Sequence, residues 1–340
     1  MTAVAARPAA VAGDPESAQS LPAILVARAA QTPDRVALRS KELGRWREID
    51  YRTLADRAGA VGMGLVALGV TAGDAVAIHA ENRPEWVEAD MGIQGIGGVS
   101  VGVYPTSPAA ECEYLLGHCN AVVLFAEDEE QLDKALEVRG SLPNLKHIVV
   151  FDTRGVRGLA DDPMLMTMDE LIALGQEQGG VDAWSREVSN VGPDDVSIIV
   201  YTSGTTGPPK GAQLSQRNLT SAISTYRQLY DVTRHDEVLS YLPLCHIAER
   251  LVSVVNALGA GYVVNFGEGG ESFNTDLQEV QPTFLLGVPR VWEKMLAGVS
   301  LRVEDASRVK RAFYAFWLAQ GRSVAGRRMQ GQFGPVDKLR

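Results

Sequence analysis

The order of apolar and polar segments predicts an α/β protein built on a mostly parallel sheet with helices on both faces. Short apolar segments typical of strands, namely AVAIHA, SVGVYP, AVVLFA and HIVVFD, alternate with longer segments whose apolar residues recur every three or four positions. Such alternation predicts a parallel, doubly covered sheet. The length of 340 residues, with 46% hydrophobic residues, allows roughly two globular domains or one large one.

The elements can be assigned in chain order. LPAILVARAAQTPDR predicts a first helix that ends near Thr32, and VALRS and WREIDY predict a hairpin that turns at Gly44. TLADRAGAVGMGLVALGV carries one apolar helical stripe and ends at Gly69. PEWVEADMGIQGIGG, ECEYLLGHC and EEQLDKALEVRGSL are the next helices, and they alternate with the four strands named above.

Composition indicates the ends and the connections of the predicted domain. Residues 1–20 are rich in Ala, Pro and small polar residues, which predicts a disordered tail. Residues 153–195 are rich in Asp, Gly and Glu, which predicts an exposed connection. A first α/β subdomain is therefore expected to extend to about residue 190.

Net charge and cysteine content limit the classes of partner. A formal charge of −10 argues against sequence-independent nucleic-acid binding. The basic segment Arg302–Arg328 is typical of a solvated helix face, with a lipid-headgroup or nucleic-acid contact as the alternative. Three cysteines without a CxxC pair predict a reducing, cytoplasmic location. No apolar run is long enough to span a membrane, and peripheral membrane contact stays open.

Residues 201–212, YTSGTTGPPKGA, predict a phosphate-binding loop. They follow the apolar strand SIIVY and precede the helix LTSAISTYRQLY, at the carboxyl end of a strand where α/β proteins bind ligands. Glycines allow close approach of the backbone to phosphate, hydroxyls donate hydrogen bonds and lysine supplies charge. The candidate phosphate ligands are Thr202, Ser203, Gly204, Thr205, Thr206, Gly207 and Lys210.

Two common phosphate motifs do not fit this loop. A Walker A loop beginning at Gly204 would need a second glycine where Pro209 stands, and no GxGxxG pattern is present here. Pro209 also keeps Pro208 out of the α region, which predicts an extended loop around Lys210. The alternative interpretation is a mobile surface loop without a ligand.

The stretch TSGTTGPPKG resembles the phosphate loop of the adenylate-forming, or AMP-binding, superfamily. AENRPEWVEADMGIQGIGGVSVGVYPTSP, YLPLCHIAERL and PTFLLGVPRVWEKM resemble segments of long-chain fatty acyl-CoA synthetases, so that the likeness covers residues 21–340. It implies a luciferase-like, multi-layer sandwich of mostly parallel sheets. It also implies that ATP with Mg²⁺ activates a fatty acid to an acyl-adenylate, from which coenzyme A displaces AMP.

The same resemblance indicates three substrate-binding candidates. It places His246 beside the acyl pocket, and Trp292 and Tyr104 are candidates for its lining. By position alone, His246 is a polar residue at a helix start, Trp292 a core residue and Tyr104 the end of a strand. Metal binding by the His246-x-x-Glu249 pair is disfavoured because a third ligand is not evident. Nucleophilic catalysis by Cys245 is disfavoured because the adjacent side chains of Cys245 and His246 are expected to point in different directions.

Several motifs of the superfamily are not found in the sequence. The adenine-binding Thr-Glu segment, the ribose-binding Thr-Gly-Asp and the catalytic lysine of a mobile C-terminal lid domain have no match. We therefore expect a truncated N-terminal adenylation domain without the lid, with no assignable catalytic residue and impaired activity alone. The alternatives are a ligase for another carboxylic acid and a non-catalytic nucleotide-binding remnant. The sequence does not indicate an oligomeric state.

Overall fold

The computed structural model describes residues 15, 17–202, 207–270, 272–332 and 334, with the side chain of residue 160 excepted. The chain divides into two compact units, Met1–Leu285 and Leu286–Arg340. Most of the tail predicted at residues 1–20 lies outside the described residues. Ser20 is described, and its side-chain oxygen accepts the N–H of Ala23 to cap the first helix.

The strands of the first unit follow the predicted order, with additions. They are β1 (Val36–Glu42), β2 (Arg45–Asp50), β3 (Ala75–His79), β4 (Val99–Val103), β5 (Val123–Ala126), β6 (His147–Val150), β7 (Leu165–Thr167), β8 (Val196–Thr202), β9 (Lys210–Ser215), β10 (Glu237–Ser240) and β11 (Val263–Phe266).

Helices separate most of these strands. They are α1 (Leu21–Gln31), α2 (Tyr51–Ala67), α3 (Pro84–Gly95), α4 (Ala109–Cys119), α5 (Glu129–Val138), α6 (Met168–Glu177), α7 (Gly180–Val188), α8 (Gln216–Leu229), α9 (Ile247–Arg250), α10 (Ala257–Ala260), α11 (Phe273–Val280), α12 (Pro289–Glu304) and α13 (Arg308–Met329). A π-helical turn, Leu251–Asn256, joins α9 to α10, and short 3₁₀ turns occupy Arg139–Ser141 and Leu159–Asp161.

The larger sheet has seven strands in the order β7-β6-β5-β3-β4-β8-β9. Every neighbouring pair is parallel except β8 and β9, which are antiparallel. All residues of β3, β4 and β5 are buried, as expected for strands covered on both faces. The predicted α/β class is confirmed, and this sheet aligns the carboxyl ends of its central strands along one edge.

The second sheet has four strands in the order β10-β11-β1-β2. The pairs β10–β11 and β11–β1 are parallel, and the predicted hairpin β1–β2 is antiparallel. Gly44 turns this hairpin with a φ of +74°, a backbone conformation that favours glycine. Two sheets with helices around them agree with the predicted multi-layer architecture.

The segment at residues 153–195 is not the exposed connection that its composition predicts. It contains β7, α6 and α7, and Trp184 in α7 is fully buried. Its indole Nε1–H donates to Gly92 O at 3.3 Å, and a Cβ on Gly95 would lie only 2.1 Å from that nitrogen. The prediction was wrong because it was based on composition. Acidic residues on exposed helix faces, such as Asp169 and Glu170, make the segment polar on average, although apolar residues that become buried lie between them.

Strand β9 was not predicted, because we expected a helix after an extended loop. Lys210 is extended, in agreement with the effect of Pro209, but it pairs with Thr202 as the first residue of an antiparallel strand. The strand is short, lies at the sheet edge and is half exposed, so its sequence carries little apolar pattern. The domain boundary near residue 190 stays a prediction, and the seven-stranded sheet includes strands from both sides of it.

A buried polar network connects the helices around both sheets. Arg250, in α9, forms an ion pair with Asp90 of α3 and donates to Ser100 Oγ at 2.9 Å. Gln94 Nε2 donates to Asp90 Oδ1 at 2.8 Å, and Gln94 Oε1 accepts from Ser197 Oγ at 2.6 Å. Arg250 also lies 4.9 Å from the ring centroid of Trp86. The network therefore ties the helix after β10 to the larger sheet.

We predict that the substitution Arg250→Leu destabilises the chain by about 3–5 kcal/mol, because it leaves the Asp90 carboxylate buried without its cation. Urea-induced unfolding of both proteins measures this difference. Arg217→Ala is the matched control, since Arg217 and Asp194 form an exposed pair that water screens, and its loss should change stability little. Equal losses in the two variants would contradict the structural importance of the buried pair.

Candidate functional site

The ends of the predicted phosphate loop are held by a row of aromatic side chains from α4. Before the loop, the hydroxyl of Tyr201 lies 2.7 Å from His118 Nδ1. After the loop, Tyr114 donates its hydroxyl hydrogen to Pro209 O at 2.9 Å. The rings of Tyr114 and His118 lie with centroids 5.5 Å apart. Both arms of the loop are therefore fixed to one helix of the larger sheet.

The described part of the loop is exposed at the carboxyl edge of that sheet. Thr202, Gly207 and Lys210 are all exposed, and Thr202 pairs with Lys210 across the two strands. Gly207 has a φ of +93°, which favours glycine. Ser203, Gly204, Thr205 and Thr206 lie outside the described residues, so their predicted contacts with phosphate stay predictions.

Tyr104 directly follows β4, the strand that neighbours β8. In the parallel pair β4–β8, Val101 is level with Ile199, β4 ends at Val103, and β8 ends at Thr202 where the loop begins. Tyr104 is half-buried, and its burial raises the pKa of its phenol. The structure thus brings one predicted acyl-binding residue to the same sheet edge as the phosphate loop.

His246 reaches this edge through a segment that crosses the end of β4. A Cβ on Gly102, in β4, would lie 2.7 Å from the Cα of Cys245, so the backbones approach closely there. Asn82 holds the same segment: its Nδ2 donates to Leu242 O at 2.7 Å, and its Oδ1 accepts the N–H of Leu244 at 2.9 Å. These contacts place Cys245 against Gly102 near the carboxyl end of β4, and His246 directly follows Cys245.

The local hydrogen bonding of His246 determines which nitrogen of its ring can bind a substrate. His246 is exposed and caps α9, where its Nδ1 accepts the N–H of Ala248 at 3.1 Å. In the neutral ring Nε2 then carries the proton, so that it can donate to a carboxylate. This arrangement suits substrate positioning better than proton abstraction.

The neighbours of His246 do not provide a nucleophile or a metal site. Burial raises the pKa of the Cys245 thiol to about 12, so the thiolate is scarce near neutral pH. Glu249 is buried, and its Oε1 accepts from Ser240 Oγ at 2.8 Å and from Ser253 Oγ at 2.5 Å. Among the described residues, no group of three His, Cys, Asp or Glu side chains could hold a metal ion.

Trp292 lies in the second unit, near the start of α12. Its indole Nε1–H donates to Gly287 O at 2.8 Å, and 46% of the residue is exposed. A Cβ on Gly287 would lie 2.5 Å from the indole, so glycine permits this contact. The predicted role of Trp292 in acyl binding stays a prediction.

Sequence reasoning missed three residues that organise the site. Asn82, Asp90 and Tyr114 were not singled out, although Asn82 and Asp90 lie in the segment that resembles fatty acyl-CoA synthetases. Asn82 and Asp90 contact residues more than 150 positions away, and Tyr114 contacts Pro209, 95 positions away. No local sequence pattern predicts contacts between residues so far apart in the chain.

A comparison with protein-family models identifies the family that has this arrangement of strands, loop and helix start. The model of the AMP-binding enzyme family matches residues 25–336. The chain belongs to the AMP-binding enzyme family. The superfamily predicted from TSGTTGPPKG and the three accompanying segments is therefore confirmed.

The most similar curated proteins include fatty-acid ligases. The chain is 35% identical over 283 residues to the long-chain-fatty-acid–CoA ligase ACSBG1 of Rattus norvegicus, covering 81% of this chain and 39% of the relative. It is 32% identical over 307 residues to the long-chain-fatty-acid–CoA ligase ACSBG2 of Xenopus laevis, covering 88% of this chain and 41% of the relative. The chain thus spans about two fifths of the length of these relatives.

Solved structures of adenylate-forming enzymes share the fold. The A-PCP didomain of carboxylic acid reductase from Segniliparus rugosus, in complex with AMP, superposes with a TM-score of 0.73 at 22% identity, covering 88% of this chain and 47% of that one. ATP-bound MatB from Rhodopseudomonas palustris superposes with a TM-score of 0.67 at 25% identity, covering 82% of this chain and 51% of that one. The predicted fold class is therefore confirmed.

His79, the last residue of β3, is a buried base at the same carboxyl edge. Its Nδ1 lies 3.8 Å from Cys112 Sγ. Burial, together with the charge of Lys134, lowers the pKa of the imidazole to about 4. Because an unfolded histidine has a pKa near 6.5, the unfolded chain binds a proton at pH values where folded His79 stays neutral.

We predict that His79 makes the folded chain less stable as the pH falls from about 6.5 to about 4. Relative to His79→Gln, the wild-type chain should lose up to about 3 kcal/mol of unfolding free energy across this window. Urea-induced unfolding at several pH values measures the difference. Glu249, whose pKa burial raises to about 6, acts in the opposite direction but is present in both proteins. A pH-independent difference would show that His79 is protonated equally in both states.

Proposed function

We propose that the chain takes part in ATP-dependent activation of a fatty acid, first to an acyl-adenylate and then to an acyl-CoA. The carboxylate oxygen would attack the α-phosphorus of ATP and release pyrophosphate, and the coenzyme A thiolate would then displace AMP. The proposal is supported by the exposed Lys210 at the end of the loop between β8 and β9, and by the approach of Cys245, the residue before His246, to Gly102 near the carboxyl end of β4 in the same sheet. The fatty-acid ligases among its relatives support the choice of acid.

The loop between β8 and β9 would bind the phosphates of ATP. Lys210 is exposed at its end, and Gly207 is exposed too, with no atom of the described residues within 4 Å of a Cβ built there. Tyr114 and His118 hold the two arms of the loop at Pro209 and Tyr201. The charge of Lys210 would stabilise the negative charge that develops on the phosphates.

His246 would orient the carboxylate of the acid. Its Nε2–H faces away from the helix cap at Nδ1 and can donate to a substrate oxygen. Tyr104, at the end of β4, would line the same region. Asn82 holds the segment from Leu242 to His246 in place, which favours a fixed distance between the acid and the phosphate. A fixed distance accelerates a reaction between two bound groups.

The proposal includes Mg²⁺ and coenzyme A because membership of the family implies them. Magnesium usually binds through substrate phosphates, water and one or two carboxylates. Since the described residues contain no cluster of metal ligands, Mg²⁺ would arrive with ATP. When bound, it would neutralise charge on the phosphates.

We predict that Lys210→Ala weakens ATP binding about 10- to 100-fold, because it removes a charge-assisted contact to phosphate. Isothermal titration calorimetry of the chain with Mg-ATP measures the affinity. Lys146→Ala is the control, since Lys146 is an exposed lysine in the loop before β6. Equal affinity of the Lys210→Ala variant and the wild type would contradict a phosphate site at this loop.

We predict that acid-dependent exchange between pyrophosphate and ATP is fastest with long-chain fatty acids.

His246→Ala should raise the apparent KM for the acid about tenfold, through loss of a hydrogen bond to a charged group, and change the KM for ATP little. His235→Ala controls for removal of an exposed histidine elsewhere. An equal rise in both KM values would contradict a role in positioning the acid.

The same assay separates the two remaining interpretations. Exchange that is fastest with an aromatic or another short acid would indicate an adenylate-forming ligase of different specificity. ATP binding without exchange for any acid would indicate a non-catalytic nucleotide-binding protein. Either outcome would replace the fatty-acid proposal.

A further inference from the structure

A buried carboxylate lies beside the segment that joins β10 to α9. Glu249, in α9, is 2% exposed, and its Oε1 accepts hydrogen bonds from Ser240 Oγ at 2.8 Å and from Ser253 Oγ at 2.5 Å. Backbone N–H groups of Leu242 and Tyr241 also donate to this carboxylate. Because a buried carboxylate is costly without donors, the side chain and the groups around it are restricted to one arrangement.

The donors to Glu249 come from both sides of the turn that leads to His246. Ser240 is the last residue of β10, before the turn, whereas Ser253 lies in the π-helical turn after α9. The N–H of His246 donates to Pro243 O at 2.9 Å, so the chain turns tightly just before α9 begins. Glu249 therefore connects the chain before this turn to the chain after it.

The contact between Ser240 and Glu249 continues to Asn82, which also holds the segment. Asn82 Nδ2 donates to Ser240 Oγ at 2.9 Å, and the same hydroxyl donates its hydrogen to Glu249. Asn82 contacts Leu242 O and the N–H of Leu244 as well. Since the carboxylate fixes the direction of the Ser240 hydroxyl, it also favours the orientation in which the Asn82 amide makes all of these contacts.

Glu249 and its neighbour Arg250 act on different parts of the chain. Arg250 is paired with Asp90 in α3, so its charge fixes α9 against the larger sheet. Glu249 instead accepts hydrogen bonds from the segment that precedes α9. Docking of the helix alone would not need donors from that segment. The direction of these contacts therefore favours a role in placing the segment and the histidine that follows it.

We propose that Glu249 is a positioning residue for His246. It would hold the segment from Ser240 to Leu244 so that the imidazole keeps the orientation in which its Nε2–H faces the acid. The inference rests on the proposed function, in which His246 orients the carboxylate of the substrate. Glu249 is buried and would not touch the substrate itself, so its loss should weaken the apparent affinity for the acid and leave that for ATP unchanged.

A comparison of KM values in pyrophosphate–ATP exchange tests the proposal. Glu249→Gln keeps the size of the side chain but replaces one oxygen by an NH2 group, which cannot accept a hydrogen bond. We expect it to raise the KM for the fatty acid about fivefold and to change the KM for ATP less than about twofold. Glu88→Gln is the matched control, since Glu88 is a buried carboxylate in α3 that accepts from Arg57 Nε at 2.7 Å. It should change neither KM.

A double-mutant cycle separates positioning of His246 from a general loss of structure. If Glu249 acts through His246, Glu249→Gln should change the acid KM less than about twofold once His246→Ala is present. Ser240→Ala removes the hydroxyl between Glu249 and Asn82 and is expected to raise the acid KM in the same way as Glu249→Gln. Independent effects of Glu249→Gln and His246→Ala, or equal rises of both KM values in Glu249→Gln, would overturn the proposal.

Hydrogen exchange of backbone amides tests the same contacts without any need for activity. In Glu249→Gln the amides of Leu244 and Ala248 should exchange at least about tenfold faster than in the wild type, because the segment opens locally more often. The amide of Ile78, in the buried strand β3, should change much less. Unchanged exchange at Leu244 and Ala248, or an equal acceleration at Ile78, would contradict the positioning role. Local acceleration in a chain without pyrophosphate exchange for any acid would support the hold on the segment and contradict the proposed function alone.

Discussion

The pair of Arg250 and Asp90 is the contact on which the arrangement of the first unit depends. Both side chains are almost fully buried, so each charge is compensated by the other rather than by water. A buried ion pair adds little net stability compared with apolar residues, but loss of one partner is strongly unfavourable. We infer that the pair serves mainly to fix position: the helix after β10 docks on α3 and β4 in one arrangement. Gln94 and Ser197 extend this constraint to β8, the strand that leads into the phosphate loop.

The positions of the candidate site residues depend on this packing of the helix after β10 against α3 and β4. The segment from Leu242 to His246 crosses the end of β4 because Asn82 holds it and Gly102 leaves room for it. The phosphate loop leaves β8, the neighbour of β4. His246 follows β10 of the four-stranded sheet and Lys210 begins β9 of the seven-stranded sheet, so the two sheets each contribute one candidate residue.

The two units of the chain present different surfaces. In the first unit, cations such as Arg250 and Lys41 are buried and paired with carboxylates. In the second unit, α13 exposes its cations and its aromatic rings together.

The sequence by itself determined the local elements, because these depend on neighbours in the chain. Apolar periodicity predicted α2 and the strands β3 to β6, Gly44 indicated the hairpin, and TSGTTGPPKG indicated both the family and the extended chain at Lys210. Only the tertiary structure decided which distant segments meet. Strand β9 forms because Thr202 and Lys210 pair across the loop. Trp184 is buried where Gly62 and Gly95 leave space for it, and Asp90 is paired with Arg250, 160 residues later. Such contacts depend on packing of side chains far apart in sequence, and a single sequence carries no local signal for them.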